Sequence, residues 1–362
     1  MDAGPVWQSL RNLWHRSPVT KADARVLIPP TVAAPVRPPS DIVWSLGGET
    51  MGGTWSVRVV PPPGADRGIL ADAVQQELDA VVALFSPWEP TSEISRFNAA
   101  PAGLWALSSP FWALLDATLD LADDTDGAVD PTLGALVDLW GFGPAGPRPD
   151  HAPALPSDDD VAAALTVSGW QKLRLNRAAR AAMQPGGMRL DLSAMARGYA
   201  VDRVSDLLSG LGATSHLVEI DGEMRGCGVK PDAQPWWIEL EQPRQPPEAG
   251  DAAPRTVAAL VDIAVSTSSD QRRAFEFEGR LYPQTIDGRT GRPVENSLVS
   301  VTVFHASAMK ADAFSTALMV MGPDEGPACA EAMGMAVQFV AHSPDGLIER
   351  MTPAWAAMMD EA

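Results

Sequence analysis

The apolar residues of this chain switch repeatedly between two spacings, and that switching narrows the fold more than any single residue does. Thr54–Val60 alternates like a strand, after which Ile69, Leu70, Val74, Leu78, Val81, Val82 and Phe85 recur at helical spacing. Ser109-Pro110 reads as a cap followed by proline in the first turn of a helix reaching Asp124. Acids ending at Asp160 suit a helix start at Val161–Leu165. Strands are expected at Leu173–Leu175 and Met188–Leu192, then a helix over Ala194–Leu211 closed by Gly212. His216–Ile220, Trp237–Leu240 and Val257–Val265 read as strands, and Ala274–Phe277 with Arg280–Tyr282 as a hairpin around Glu278-Gly279. A strand at Leu298–Phe304, a helix at Ala308–Met321 and a strand at Ala336–Ala341 complete the series. Strands mixed with helices, some joined by hairpins, predict an α+β or mixed α/β protein rather than a doubly wound sheet. No GxGxxG follows a strand and no GxxxxGK[ST] occurs, so the usual dinucleotide and P-loop folds are excluded.

With 362 residues the chain can bury a large core as one large domain or two lobes. Its 33 prolines and 30 glycines cluster in linkers such as Gly141–Asp160 and Gln242–Arg255. Prolines at 29, 30, 35, 38 and 39 predict a poorly structured leader over residues 1–44, with order beginning near Val43. A single two-lobed domain is expected over 45–350 and a tail over 351–362. The formal charge of −19 argues against nucleic acid as a partner, because phosphate binding needs clustered cations. It leaves room for a nucleotide held by backbone amides, a few cations and a metal. Cys227 and Cys329 give neither a disulfide framework nor metal spacing, and the scattered histidines read as structural, so no zinc site is expected. No run of 18 apolar residues predicts a transmembrane segment. The first residues lack a signal-peptide pattern, giving a cytoplasmic expectation, or a periplasmic or membrane-associated one if the start is misassigned.

Several short segments break otherwise buried patterns with glycines and polar groups. In AMKADAFSTA, Asp312 and Thr316 stand four apart and share a helix face, with Ser315 adjacent. That set is either a hard-oxygen cluster suited to Mg2+ or an ordinary solvated helix surface. In LDLSAMARGYAVD, the small residues Ser193, Ala194 and Ala196 open a helix whose first amides point outward beside Arg197, which suits either an anion or tight helix–strand packing. Trp88, in SPWEPTSEISRFN, is either a half-exposed loop aromatic or a flat face for a flavin or adenine ring. Asp287-Gly288 and Thr290-Gly291, in YPQTIDGRTGRP, are turn signals.

Taken in order with MGGTW from Met51 and GAVDPTLGALVDLWGFGP from Gly127, these segments resemble the ApbE family, the FAD:protein FMN transferases, over roughly Met51 to Gly322. The resemblance implies a bilobed fold with mixed sheets flanked by helices and FAD in a cleft between lobes. It implies Mg2+ at the diphosphate and transfer of FMN from FAD to a Thr or Ser of an acceptor flavoprotein, with AMP leaving. By position, the metal would be held by Asp312, Thr316, nearby Ser315 and the carbonyl of Ala194. Flavin contacts would come from Met51, Trp88, Ala128, Val129, Asp130, Asp191, Arg197 and Thr285.

The chain also departs from the family. Ser193 and Arg197 replace Gly and Lys, and Gln284 stands where the family has His. Glutamine donates and accepts hydrogen bonds but takes no proton at useful pH. Asp287, and after it Asp221, are the substitute bases the sequence offers. The departure keeps two rivals in view: an FAD pyrophosphatase yielding FMN and AMP, and an FAD-binding protein without turnover.

Overall fold

The computed structural model describes residues 24–30, 36, 38–146, 154–242, 255–269, 273–344 and 346–359. Strands β1 (Ala24–Leu27), β2 (Trp44–Thr50) and β3 (Gly53–Val59) precede helices α1 (Arg67–Phe85) and α2 (Glu93–Asn98). Then come β4 (Gly103–Ala106), α3 (Ser109–Asp124), α4 (Gly134–Leu139), α5 (Asp158–Val167), β5 (Arg174–Asn176), β6 (Ala181–Gln184) and α6 (Ser193–Gly210). The strand-rich middle holds β7 (His216–Ile220), β8 (Glu223–Cys227), β9 (Trp236–Glu239), β10 (Arg255–Leu260) and β11 (Ile263–Ser269). Next are β12 (Ala274–Phe277), β13 (Arg280–Pro283), β14 (Ile286–Asp287), β15 (Arg292–Pro293) and β16 (Leu298–His305). The described chain ends through α7 (Ala308–Ala332), β17 (Ala336–Ser343), β18 (Gly346–Met351) and α8 (Pro353–Ala356).

The expected mixed α+β class is what forms. Its backbone is an eight-stranded sheet ordered β18-β17-β16-β11-β8-β7-β3-β2, antiparallel at every step. Helices α1, α6 and α7 cover one face through a core that includes Val57, Leu78, Val204, Val301 and Leu318. The other face meets the β1-β10-β9 sheet and α8 through Leu217, Trp236, Leu260, Phe304 and Trp355. Burial on both faces shows in β16, where every residue but His305 is buried, Ser300 and Thr302 included.

Several boundaries differ from the sequence reading. Val257–Val265 is two strands in different sheets, because the chain turns at Asp262, a left-handed residue with φ 53°. Met188–Leu192 makes only an isolated bridge, Leu133 to Arg189, and the true partner of β4 and β5 is β6. The cap of α3 is Ser108, whose Oγ accepts from Phe111 N. The helix from Ala308 breaks where expected, after Met321, at Gly322 with φ 81°. The proline-rich stretch holds β1, with Leu27 and Ile28 buried, so order starts before Val43 in the described residues. Residues 351–359 likewise form no loose tail, since Trp355 is fully buried. Residues 1–23, 31–35 and 37 of the expected leader and most of Gln242–Arg255 lie outside the described residues.

Candidate active site

One cavity of ≈ 850 Å³ gathers the segments singled out above. Its walls come from the Met51-Gly52 turn between β2 and β3, the loop after α1, the turn after α3, the loop after α4, the first turn of α6, the end of β11, and α7. That volume suits a cofactor-sized ligand. Met51 takes φ 51°, a left-handed conformation uncommon for a non-glycine residue, and so turns β2 into β3 at the rim. Trp88 is half-exposed in the wall, at 51%.

The oxygen-bearing side chains of α7 lie opposite α6. Asp312 is buried, and its Oδ2 accepts from Gly198 N at 3.0 Å. Gly198 makes that approach possible, because a Cβ there would overlap the Ala308 carbonyl. Asp312 and Thr316 line the cavity with Ala194, whereas Ser315 sits behind the wall. The Ser315 Oγ donates to the Asp312 carbonyl at 2.9 Å. Ser268 Oγ stands 2.8 Å from Ser315 Oγ and 3.2 Å from Thr316 Oγ1, joining β11 to the helix. With the Ala194 carbonyl that the resemblance implies, the Asp312 carboxylate and Thr316 hydroxyl would make an all-oxygen donor set, which fits Mg2+ in chemistry. No cluster of three or more His, Cys, Asp or Glu able to hold a metal occurs among the described residues. A cation at this set therefore needs further donors from water or a substrate phosphate, as Mg2+ sites generally do.

Arg197 Nε lies 3.2 Å from Glu223 Oε2, and its Nη1 lies 3.9 Å from Asp221 Oδ2. Burial opposes its charge, but the carboxylates of Glu223, Asp312 and Asp221 outweigh that effect and raise its pKa. The cavity thus keeps a permanent cation beside its carboxylate. Burial raises the pKa of Asp130, against hydrogen bonds from Thr132 N, Thr132 Oγ1 and Trp170 N. Burial also raises that of Asp191, which accepts from Ser193 N at 2.8 Å.

Met51, Trp88, Ala128, Val129, Asp130, Asp191, Arg197, Gln284 and Thr285 all line this cavity. Asp287 is outside its wall, clamped by Arg289 through Nε and Nη2 at 3.0 Å each. Asp221 is also outside, in a left-handed turn whose N–H donates to Thr54 O at 3.1 Å. Neither substitute base lines the cavity, although Asp221 stands beside Arg197, which does. Thr267, Ser268, Ser269, Arg273 and Glu89 were not anticipated. The hydroxyl run Ser266–Ser269 at the end of a buried strand was the available signal.

The ApbE family model matches residues 51–339. The FAD:protein FMN transferase of Vibrio cholerae serotype O1 is 37% identical over 309 residues, covering 84% of this chain and 89% of that protein. The FAD:protein FMN transferase of Escherichia coli K12 is 32% identical over 336 residues, covering 90% of this chain and 92% of that one. Among solved structures, the apo flavinyl transferase ApbE of Pseudomonas stutzeri superimposes with a TM-score of 0.79 at 38% identity, covering 88% of this chain and 97% of its own. The flavin transferase ApbE of Vibrio cholerae gives the same TM-score at 33% identity, covering 88% and 99%.

Proposed function

The chain belongs to the ApbE family, and from that premise we propose that it transfers the FMN part of FAD to a Thr or Ser hydroxyl of an acceptor flavoprotein, releasing AMP. One observation carries the reading. A single cavity joins an apolar and aromatic wall, including Trp88 and Val129, to a polar end holding Asp312, Thr316 and Arg197. FAD has the same polarity, a flat ring system followed by a charged diphosphate. We read the cavity as the cleft between two lobes, with the ring on the Trp88 side.

In the transfer, the acceptor oxygen bonds to the flavin-side phosphorus while the P–O bond to AMP breaks, and the hydroxyl proton passes to solvent as AMP departs. Asp312, Thr316 and the Ala194 carbonyl would hold Mg2+, which would supply charge stabilisation at the diphosphate oxygens. Arg197 stays protonated and adds a fixed positive charge to the same end of the cavity. Gln284, in the cavity wall, would orient the incoming hydroxyl by hydrogen bonding without taking its proton. The chain therefore positions and polarises more strongly than it deprotonates.

Mass spectrometry of Thr-bearing acceptor domains, incubated with enzyme, FAD and Mg2+, tests this reading. Addition of one FMN to an acceptor hydroxyl is expected. No added FMN across a panel of acceptors would rule transfer out, and free FMN formed without acceptor would indicate the pyrophosphatase instead.

A further inference from the structure

We propose that Asp202 is a positioning residue: it sets the axial register of α7 against α6 and thereby places Asp312 and Thr316 opposite Ala194. The inference rests on the reading of those three residues as the polar end of the site. It begins from four hydrogen bonds on one carboxylate. Asp202 Oδ1 accepts from Ala308 N at 3.0 Å and from Arg225 Nη1 at 2.6 Å. Its Oδ2 accepts from Ser307 Oγ at 2.7 Å and from Met309 N at 3.1 Å. A residue of α6 thus takes up the first amides of α7, which have no partner within their own helix.

The contacts between the two helices gather where the start of α7 crosses α6. Asp202 meets residues 307–309, and Gly198, four residues earlier, packs its backbone on Ala308 and Met309 and donates to Asp312 at 3.0 Å. Another step of four leads from Gly198 to Ala194 and from Asp312 to Thr316, and both residues line the cavity. Four residues of helix span about 6 Å, so a slip of one turn would carry Thr316 out of reach of Ala194. Asp202 and Gly198 are the two fixed points that prevent such a slip.

Strand β8 backs the arrangement from behind. Glu223 and Arg225 stand two apart, hence on one face of the strand. Glu223 holds Arg197 at 3.2 Å and Arg225 holds Asp202 at 2.6 Å. The strand therefore orients both the cavity cation and the residue that anchors the metal-site helix. Nothing in the proposed transfer uses Asp202 directly.

Asp202→Asn is the test, because an amide keeps one accepting oxygen but presents N–H groups to donors that need an acceptor. Hydrogen exchange of the metal-free protein should quicken over residues 308–316 and stay unchanged in β16 and β17. By calorimetry, Mg2+ affinity in the presence of FAD should fall about 10- to 100-fold, as when a residue supporting a metal ligand is lost. The kcat for transfer should fall while the KM for FAD stays put. Unchanged exchange over 308–316 together with unchanged Mg2+ affinity would overturn the proposal. If Asp202→Asn does not fold, Ser307→Ala removes one donor and should shift both readouts in the same direction; no shift again overturns it. A parent protein that takes up no Mg2+ would refute the metal reading, and the exchange data would then decide the register claim alone.

Discussion

Gln284, at the position where the resemblance implies a histidine, lines the cavity, and neither of the two acids offered as substitutes does. Proton removal is therefore the weak step, and Gln284→His is expected to raise the transfer rate, with the gain growing as pH rises through the imidazole range near 6.5. Asp312→Ala should lower transfer by about 100-fold or more, measured as kcat/KM, since it removes the carboxylate at the polar end of the cavity. Trp88→Ala should cost about 1 kcal/mol of FAD affinity by fluorescence titration, the scale of one aromatic stack. These side chains were readable in the sequence because glycines and polar groups broke an apolar pattern around them. Ser268 was not, because a hydroxyl at the end of a buried strand differs little from an ordinary strand residue until Thr316 is seen beside it.

Helices α6 and α7 approach closely because Gly198 lacks a Cβ against Ala308, and the geometry of the proposed metal site depends on that contact. Gly198→Ala is expected to destabilise the protein by about 1–3 kcal/mol in chemical denaturation, as overpacking does, and to weaken Mg2+ binding along with it. The α7 break shows what local signals supply. Gly322 and the prolines that follow ended the helix on paper, and the structure adds Asn296, whose Nδ2 donates to the Met319 carbonyl at 2.9 Å. Helix and hairpin limits were legible wherever caps, prolines or a Glu-Gly turn marked them. The division of Val257–Val265 was not, because Val261 and Asp262 interrupt the apolar run only briefly while the chain crosses from one sheet to another. Sheet order was equally hidden, since β11 pairs with β8 and β16 through contacts distant in sequence.

The second core explains why described parts of both the expected leader and the expected tail are structured. Leu27, Trp236, Leu260 and Trp355 pack together behind the main sheet, a long-range association that no local periodicity can announce. Removing the residues before Val43 would uncover that core and should lower stability by several kcal/mol, at about 1.5–3 kcal/mol for each large side chain exposed. Stability should also depend on pH through His216. Its Nε2 lies 2.8 Å from Ser205 Oγ and its Nδ1 lies 2.8 Å from the Ala213 carbonyl, and burial lowers its pKa to about 4. The neutral ring is the folded form, so this contribution is complete above the unfolded value of 6.5 and disappears as pH falls toward 4. Denaturation at both ends of that window should differ by about 3 kcal/mol from this group, and His216→Asn should flatten the difference. For the transfer itself, AMP and flavinylated acceptor can be counted in one reaction containing FAD and Mg2+. Equal amounts of the two, both lost in Asp312→Ala, are predicted; AMP accompanied by free FMN and an unmodified acceptor would contradict it.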